Sequence, residues 1–224
     1  MLDFKPIEFS RKEKCKCTYY ELYSIKNQRN IQLYSQQCYY QALILEMDYR
    51  VSSYCERPCK IGPSNNDNVK SKIIDFIVEY TTSKLLEMQR VNYHGEHNFP
   101  LALYEALKVE ESWCHSHGYR YQIITFDEAQ YNSHYFHNIK YLYGLVRRIN
   151  SPIYSKYTDL FVRSLQNRKA VSISDIIDEN HLSKYEALQA ISFGIYRGLF
   201  TLFLEYEAIT TDMEVKLVSN ENCI

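Results

Sequence analysis

Asp75, Glu87 and Gln89 are the residues of this chain whose types and spacing point to a chemistry. They stand in Ile73-Ile74-Asp75-Phe76-Ile77-Val78-Glu79-Tyr80 and, a few residues on, in Leu85-Leu86-Glu87-Met88-Gln89-Arg90. Two apolar runs this close read as a hairpin, with Asp75 opening the first strand and Glu87 on the second. Two carboxylates on adjacent strands can hold Mg²⁺ against a phosphodiester. A nearby cation, usually lysine, then orients the attacking water and offsets the charge that develops. The hairpin is expected to bring Asp75 and Glu87 together as metal ligands, with the Met88 carbonyl as a further ligand. Gln89 lies two residues past Glu87, shares its face and is the candidate water-orienting group. It holds the place of the usual lysine and carries no charge. Arg90 points to the opposite face. The plain alternative is that Asp75 and Glu87 are ordinary strand-end acids.

The chain has 224 residues, 46 % of them hydrophobic, with 22 tyrosines and a formal net charge of −1. That length allows one large domain or a medium and a small one, with a packed core. A balanced charge excludes a global basic field for nucleic acid. The distribution is uneven. Residues 1–35 carry seven Lys/Arg against four Asp/Glu, and residues 151–224 carry seven against ten. A DNA contact is therefore expected near the N-terminus rather than in the last third. The tyrosines fit half-buried sheet and helix positions better than base stacking. No run is apolar enough for a membrane span or a signal core, so a cytoplasmic protein with reduced thiols is expected. Cys15-x-Cys17, Cys55-x3-Cys59 and Cys114 with His115 and His117 do not repeat the Cys-x2-Cys spacing of a structural zinc site.

The elements that must position the hairpin alternate in type. Residues 1–34 are basic and Tyr-rich without a clear period. Ser35 to Asp48 reads as a helix with Ser35 in the capping position, and Val51 to Tyr54 as a short strand. Residues 62–68 are a loop. Lys72 to Tyr80 and Lys84 to Gln89 are the hairpin strands, and 91–100 is a polar loop. Leu101 to His117 is a helix with Leu103, Leu107, Glu110 and Trp113 at helical steps, ended by Gly118. Tyr119 to Thr125 is a strand and His137 to Arg147 a helix. This is an α/β arrangement around a mixed sheet.

Asn150-Ser151-Pro152 is the expected boundary between domains 1–149 and 150–224. Beyond it stand three short helices, at Tyr157–Leu165, in VSISDIIDEN and in LSKYEALQAISFGIYRGL. Ser172 and Ser174 take capping positions and Gly198 closes the third helix. The run FTLFLEYEAI follows as a hairpin. That order suggests a winged helix. Its acidity favours a protein partner over DNA.

Taken in order, these motifs resemble the TnsA-type endonuclease subunit of heteromeric cut-and-paste transposons. NQRNIQLYSQQCYYQALILEMDYRVSSYCERP is similar to that family's opening helix and the element after it. IIDFIVEY and LLEMQ match its two catalytic strands, VEESWCHSHGYRYQIITFDEA its Trp helix and next strand, and HNIKYLY its Asn-Ile-x-x-Leu-Tyr. Residues 151–224 resemble its small C-terminal domain. The resemblance implies a restriction-endonuclease-like core followed by a winged helix. It also implies cleavage of the 5′ ends of a transposon with Mg²⁺ or Mn²⁺. The implied partners are transposon-end DNA, an integrase-type transposase and an AAA+ ATPase regulator that contacts residues 150–224.

The family's catalytic Asp falls on Asp75. Its Gln-x-Lys falls on Glu87-Met88-Gln89, and its helix Glu on Cys38, or on Gln37 with a one-residue slip. Loss of the lysine removes a transition-state charge worth about 3–4 kcal/mol. Two readings follow, a metal-dependent nuclease working through Asp75, Glu87 and Gln89, and a non-cleaving assembly subunit of the same fold. A third is an unrelated α/β protein with a winged helix, which would lack an Asp75–Glu87 cluster.

Overall fold

The structure, a computed structural model, describes residues 3–15, 18–61, 72–83, 85–92, 101–126, 134–148, 153–166 and 168–218. The expected loop at 62–68, most of the one at 91–100, and Lys70, Lys84 and Cys17 lie outside them, as does the expected boundary at 150–152. Two compact units are present, one of residues 1–45 and 50–128, the other of 46–49 and 129–224. Both combine helices with sheet.

The first unit opens with a short helix, α1 (Arg11–Lys14), capped by Ser10 and Glu13 in a reciprocal capping box. The stretch that showed no period then forms a hairpin, β1 (Tyr19–Ser24) and β2 (Arg29–Tyr34), paired Tyr19 to Tyr34. It buries Leu22, Ile31 and Leu33. The turn between the strands has no glycine; Gln28 supplies the left-handed residue at φ 54°. The helix α2 (Gln36–Met47) follows, with the Ser35 hydroxyl accepting from the Cys38 N–H at 3.2 Å. Ser35 therefore caps as expected.

Next come β3 (Val51–Glu56), β4 (Lys60–Ile61), β5 (Lys72–Ile73), β6 (Phe76–Tyr80) and β7 (Glu87–Asn92). The single strand expected from Lys72 to Tyr80 is thus two, with Ile74 and Asp75 between them. The helix α3 (Leu101–Ser116) leads to β8 (Arg120–Thr125), with Gly118 at φ 75° in the turn. The sheet order is β3-β6-β7-β8. β3, β6 and β7 are antiparallel, and β7 pairs parallel to β8 across the α3 connection. This is the mixed sheet expected.

The second unit holds α4 (Tyr135–Val146), α5 (Ile153–Gln166), β9 (Val171–Ser172), α6 (Ile173–Asn180), α7 (Lys184–Tyr196), β10 (Phe200–Leu202) and β11 (Glu214–Leu217). It begins at 129 rather than 150 because α4 belongs to it: Leu145 packs in the core formed by Phe161, Ile176, Ile191 and Phe200. The three strands run β10-β11-β9. Ser172 caps α6, and Ser183 with Glu186 forms a capping box on α7. Ser174 is not a cap; it lies in the first turn of α6, 3.0 Å from the Ser172 hydroxyl.

Gly198 ends α7 at φ 72°, and a Cβ there would sit 2.4 Å from the Tyr49 ring. Gly198→Ala is therefore expected to cost about 2 kcal/mol or more, from the left-handed backbone alone plus displacement of that ring. Urea unfolding of the variant measures it. No helix among the described residues is long and apolar enough to cross a membrane.

Candidate functional site

The register of β6 and β7 decides where the hairpin residues point. Phe76 pairs with Gln89, Ile77 with Met88 and Val78 with Glu87. Continued by one residue, that register sets Asp75 opposite Arg90. Side chains alternate across a strand, so Asp75 and Arg90 share one face while Glu87 and Gln89 take the other. The hairpin does not bring Asp75 and Glu87 together, contrary to the expectation from spacing.

On the first face Asp75 is the anchor of a mostly buried ionic cluster. Its Oδ2 accepts from Arg90 Nη1 at 3.0 Å and from the Val91 N–H at 2.8 Å. Arg90 Nη1 also donates to the Ile73 carbonyl at 2.7 Å. The rest of the guanidinium forks onto Glu110 of α3, with Nε to Oε2 at 2.9 Å and Nη2 to Oε1 at 2.7 Å. Tyr121 of β8 donates to Glu110 Oε2 at 2.7 Å. The Asp75, Arg90 and Glu110 side chains are 15 %, 14 % and 3 % exposed. One cation thus balances two carboxylates away from water. Burial pushes the Asp75 carboxyl up, against the pull of Arg90 and the Val91 N–H. Burial and then Glu110 push the Tyr121 hydroxyl up.

On the second face Glu87 Oε1 accepts from Gln89 Nε2 at 2.8 Å and from the Tyr80 hydroxyl at 3.0 Å. Gln89, only 1 % exposed, accepts from Gln41 Nε2 of α2 at 2.8 Å. Both ends of its amide are committed to the protein, so it is not poised to orient a water. Met88 is fully buried and pairs with Ile77 on one side and Tyr121 on the other. Its main-chain groups lie in the plane of the sheet between two neighbours.

Cys38, at the position where the resemblance implies a helix glutamate, opens onto the same cleft as Asp75. That cleft, of about 380 Å³, is also lined by Phe76, Arg57, Lys72 and Arg90. Arg57 is held there by the N-terminal segment. It donates to the Ile7 carbonyl at 3.0 Å and to Glu13 at 3.1 Å, and lies over the Phe9 ring at 3.6 Å. The Ser10 hydroxyl and N–H, and then Arg57, hold the Glu13 carboxyl down at about 2. The cleft therefore presents three acids, each already paired, Asp75 with Arg90, Glu13 with Arg57 and Glu56 with Arg29, and a thiol where the helix acid would stand.

These donors do not fit Mg²⁺ or Mn²⁺. Such an ion wants several oxygen ligands converging on one point. Asp75, Glu13 and Glu56 each have a guanidinium against them, Glu87 faces the other way, and Cys38 offers sulfur. Among the described residues no three His, Cys, Asp or Glu side chains are grouped to hold a metal. The cysteines are packed for other reasons: burial pushes the Cys55 and Cys114 thiols up to about 12, while His117 stacks on Trp113 at 3.9 Å.

Glu110 is the residue that spacing alone did not assign to the site. Its signal was present, since it is the one carboxylate among Leu103, Leu107 and Trp113 at helical steps. An acid on a core-facing stripe needs a cation, and Arg90 supplies it. No family model matches the chain, and no curated protein matches it.

Proposed function

We propose that the chain is a non-cleaving subunit of a DNA-transposition assembly. In this reading the first unit is a restriction-endonuclease-like domain whose metal site has been replaced by an ion pair, and the second is a winged-helix-like docking domain. The observation that carries it is the Arg90 clamp on Asp75. A permanent guanidinium sits against the carboxylate that would hold a divalent cation, and Glu110 holds it from the far side. The order and spacing of the motifs, together with the sheet order and the helix–helix–hairpin succession, support the fold assignment. Transposon-end DNA, an integrase-type transposase and an AAA+ regulator meeting residues 150–224 are the partners this reading names, in the cytoplasm.

An α/β protein outside that family is a second reading, favoured by the separation of Asp75 from Glu87. Product analysis of transposition in cells, with the partner proteins supplied, separates the possibilities. Wild type and Asp75→Ala are expected to give the same products, dominated by fused replicons because the 5′ ends stay joined. Simple insertions by wild type that turn into fused replicons in Asp75→Ala mean that the site cuts DNA. Unchanged transposition when the chain is omitted places it outside the assembly.

A further inference from the structure

The loop between β10 and β11 presents two aromatic rings to solvent, Phe203 at 65 % and Tyr206 at 81 % exposure. The rings stack on each other at 6.0 Å with 20° between their planes. An exposed tyrosine is unremarkable, but a phenylalanine this open beside a second ring is a patch that invites a partner. Next to them lies a groove of about 330 Å³ with Leu202, Phe203 and Met213 in its walls and Glu207, Asp212 and Glu214 around it. Across residues 199–217 there are four acids, Glu205, Glu207, Asp212 and Glu214, against Lys216 alone. Lys216 lies 3.7 Å from Glu214 and leaves the rim acidic.

The loop is held in place from beneath. Asn138 of α4, 1 % exposed, donates to the carbonyls of Leu204 at 2.9 Å and Glu207 at 2.7 Å, and accepts from the Ile209 N–H at 3.3 Å. The rings therefore project from a fixed backbone, which lowers the ordering cost of binding. The occupant follows from the chemistry. Phosphates are repelled by the acidic rim. The helix before the hairpin, α7, buries Ala187 to Ser192 and Gly194 and offers no side chains there to a DNA groove. Lysine and arginine satisfy every feature at once. Their apolar stems lie along Leu202 and Met213, their charged heads meet the carboxylates, and the ring faces attract the cation.

We propose that this groove docks a lysine- or arginine-rich segment of a partner protein. The inference stands on the second unit alone and holds whichever reading of the first unit is correct. The test is a selection from a random peptide library on the full chain, counter-selected on the triple variant Glu207→Gln, Asp212→Asn, Glu214→Gln. Enriched peptides are expected to be net positive. Anisotropy titration should show them binding the triple variant and the Phe203→Ala, Tyr206→Ala double variant at least about ten-fold more weakly than wild type. All five side chains are at the surface, and thermal unfolding checks that the variants keep their fold. Enrichment of neutral or acidic peptides, no enrichment over the counter-selection, or equal binding to the variants overturns the proposal. So does saturable binding of duplex DNA that the same substitutions abolish.

Discussion

Replacing Arg90 with methionine is expected to destabilise the first unit by about 3–5 kcal/mol, the cost of removing one partner from a buried ion pair. Methionine roughly keeps the length of the side chain, so lost packing is a minor part. What remains are two carboxylates, Asp75 and Glu110, facing each other's charge without the guanidinium that now bonds both. Urea unfolding at neutral pH measures the loss. The pH dependence separates this cause from a packing defect. In wild type, burial already raises the Asp75 carboxyl above its unfolded value. A raised folded value means that this acid's contribution is most favourable at low pH and is lost as pH rises through that value. Without Arg90 the Asp75 carboxyl rises further. The gap between variant and wild type should therefore shrink at about pH 5 and widen at about pH 8. A gap that is the same at both values would mean that electrostatics is not what Arg90 contributes. Arg90→Lys restores a charge but not the fork onto Glu110, so only part of the stability should return.

The same substitution explains what spacing made visible and what it did not. Element types were legible wherever one local rule sufficed. Ser35 and Ser172 each accept a backbone N–H at a helix start. Gly118 and Gly198 both take positive φ where chain direction changes. The β1–β2 hairpin was not legible, because its four-residue turn uses Gln28 where a glycine would have announced it. The site failed on register. Asp75 and Glu87 were read as neighbours from the hairpin alone, but pairing sums to an odd number, Phe76 with Gln89, and so joins residues of opposite parity. Shifting a strand by one residue exchanges its faces. Nothing in the six residues between β6 and β7 specifies that register locally; it is fixed by the core, where Ile77 and Met88 are fully buried. The correct partner of Asp75 was nevertheless the residue whose side chain was set on the other face from Glu87.

Asn138→Ala is expected to release the β10–β11 loop while the helices of the second unit stay folded. The side chain serves three main-chain groups, those of Leu204, Glu207 and Ile209, from a position almost closed to water. Alanine leaves those groups without their partner, each at a cost of about 1–3 kcal/mol if it stays buried. The loop is at the surface and can recover part of this by moving toward water. A net loss of about 2–3 kcal/mol is therefore expected in urea unfolding, together with faster hydrogen exchange of the amides in 204–209. Asn138→Asp is the sharper probe. It keeps an acceptor for the Ile209 N–H but turns a carboxylate toward the Leu204 and Glu207 carbonyls. Most of the alanine effect should persist at neutral pH and ease on acidification, as a protonated carboxyl regains a donor. If exchange in 204–209 is unchanged in both variants, Asn138 is not what fixes the loop. If it rises in both, the rings of Phe203 and Tyr206 lose their fixed platform. Binding of a basic peptide to the groove should then weaken although no residue that touches it has been altered.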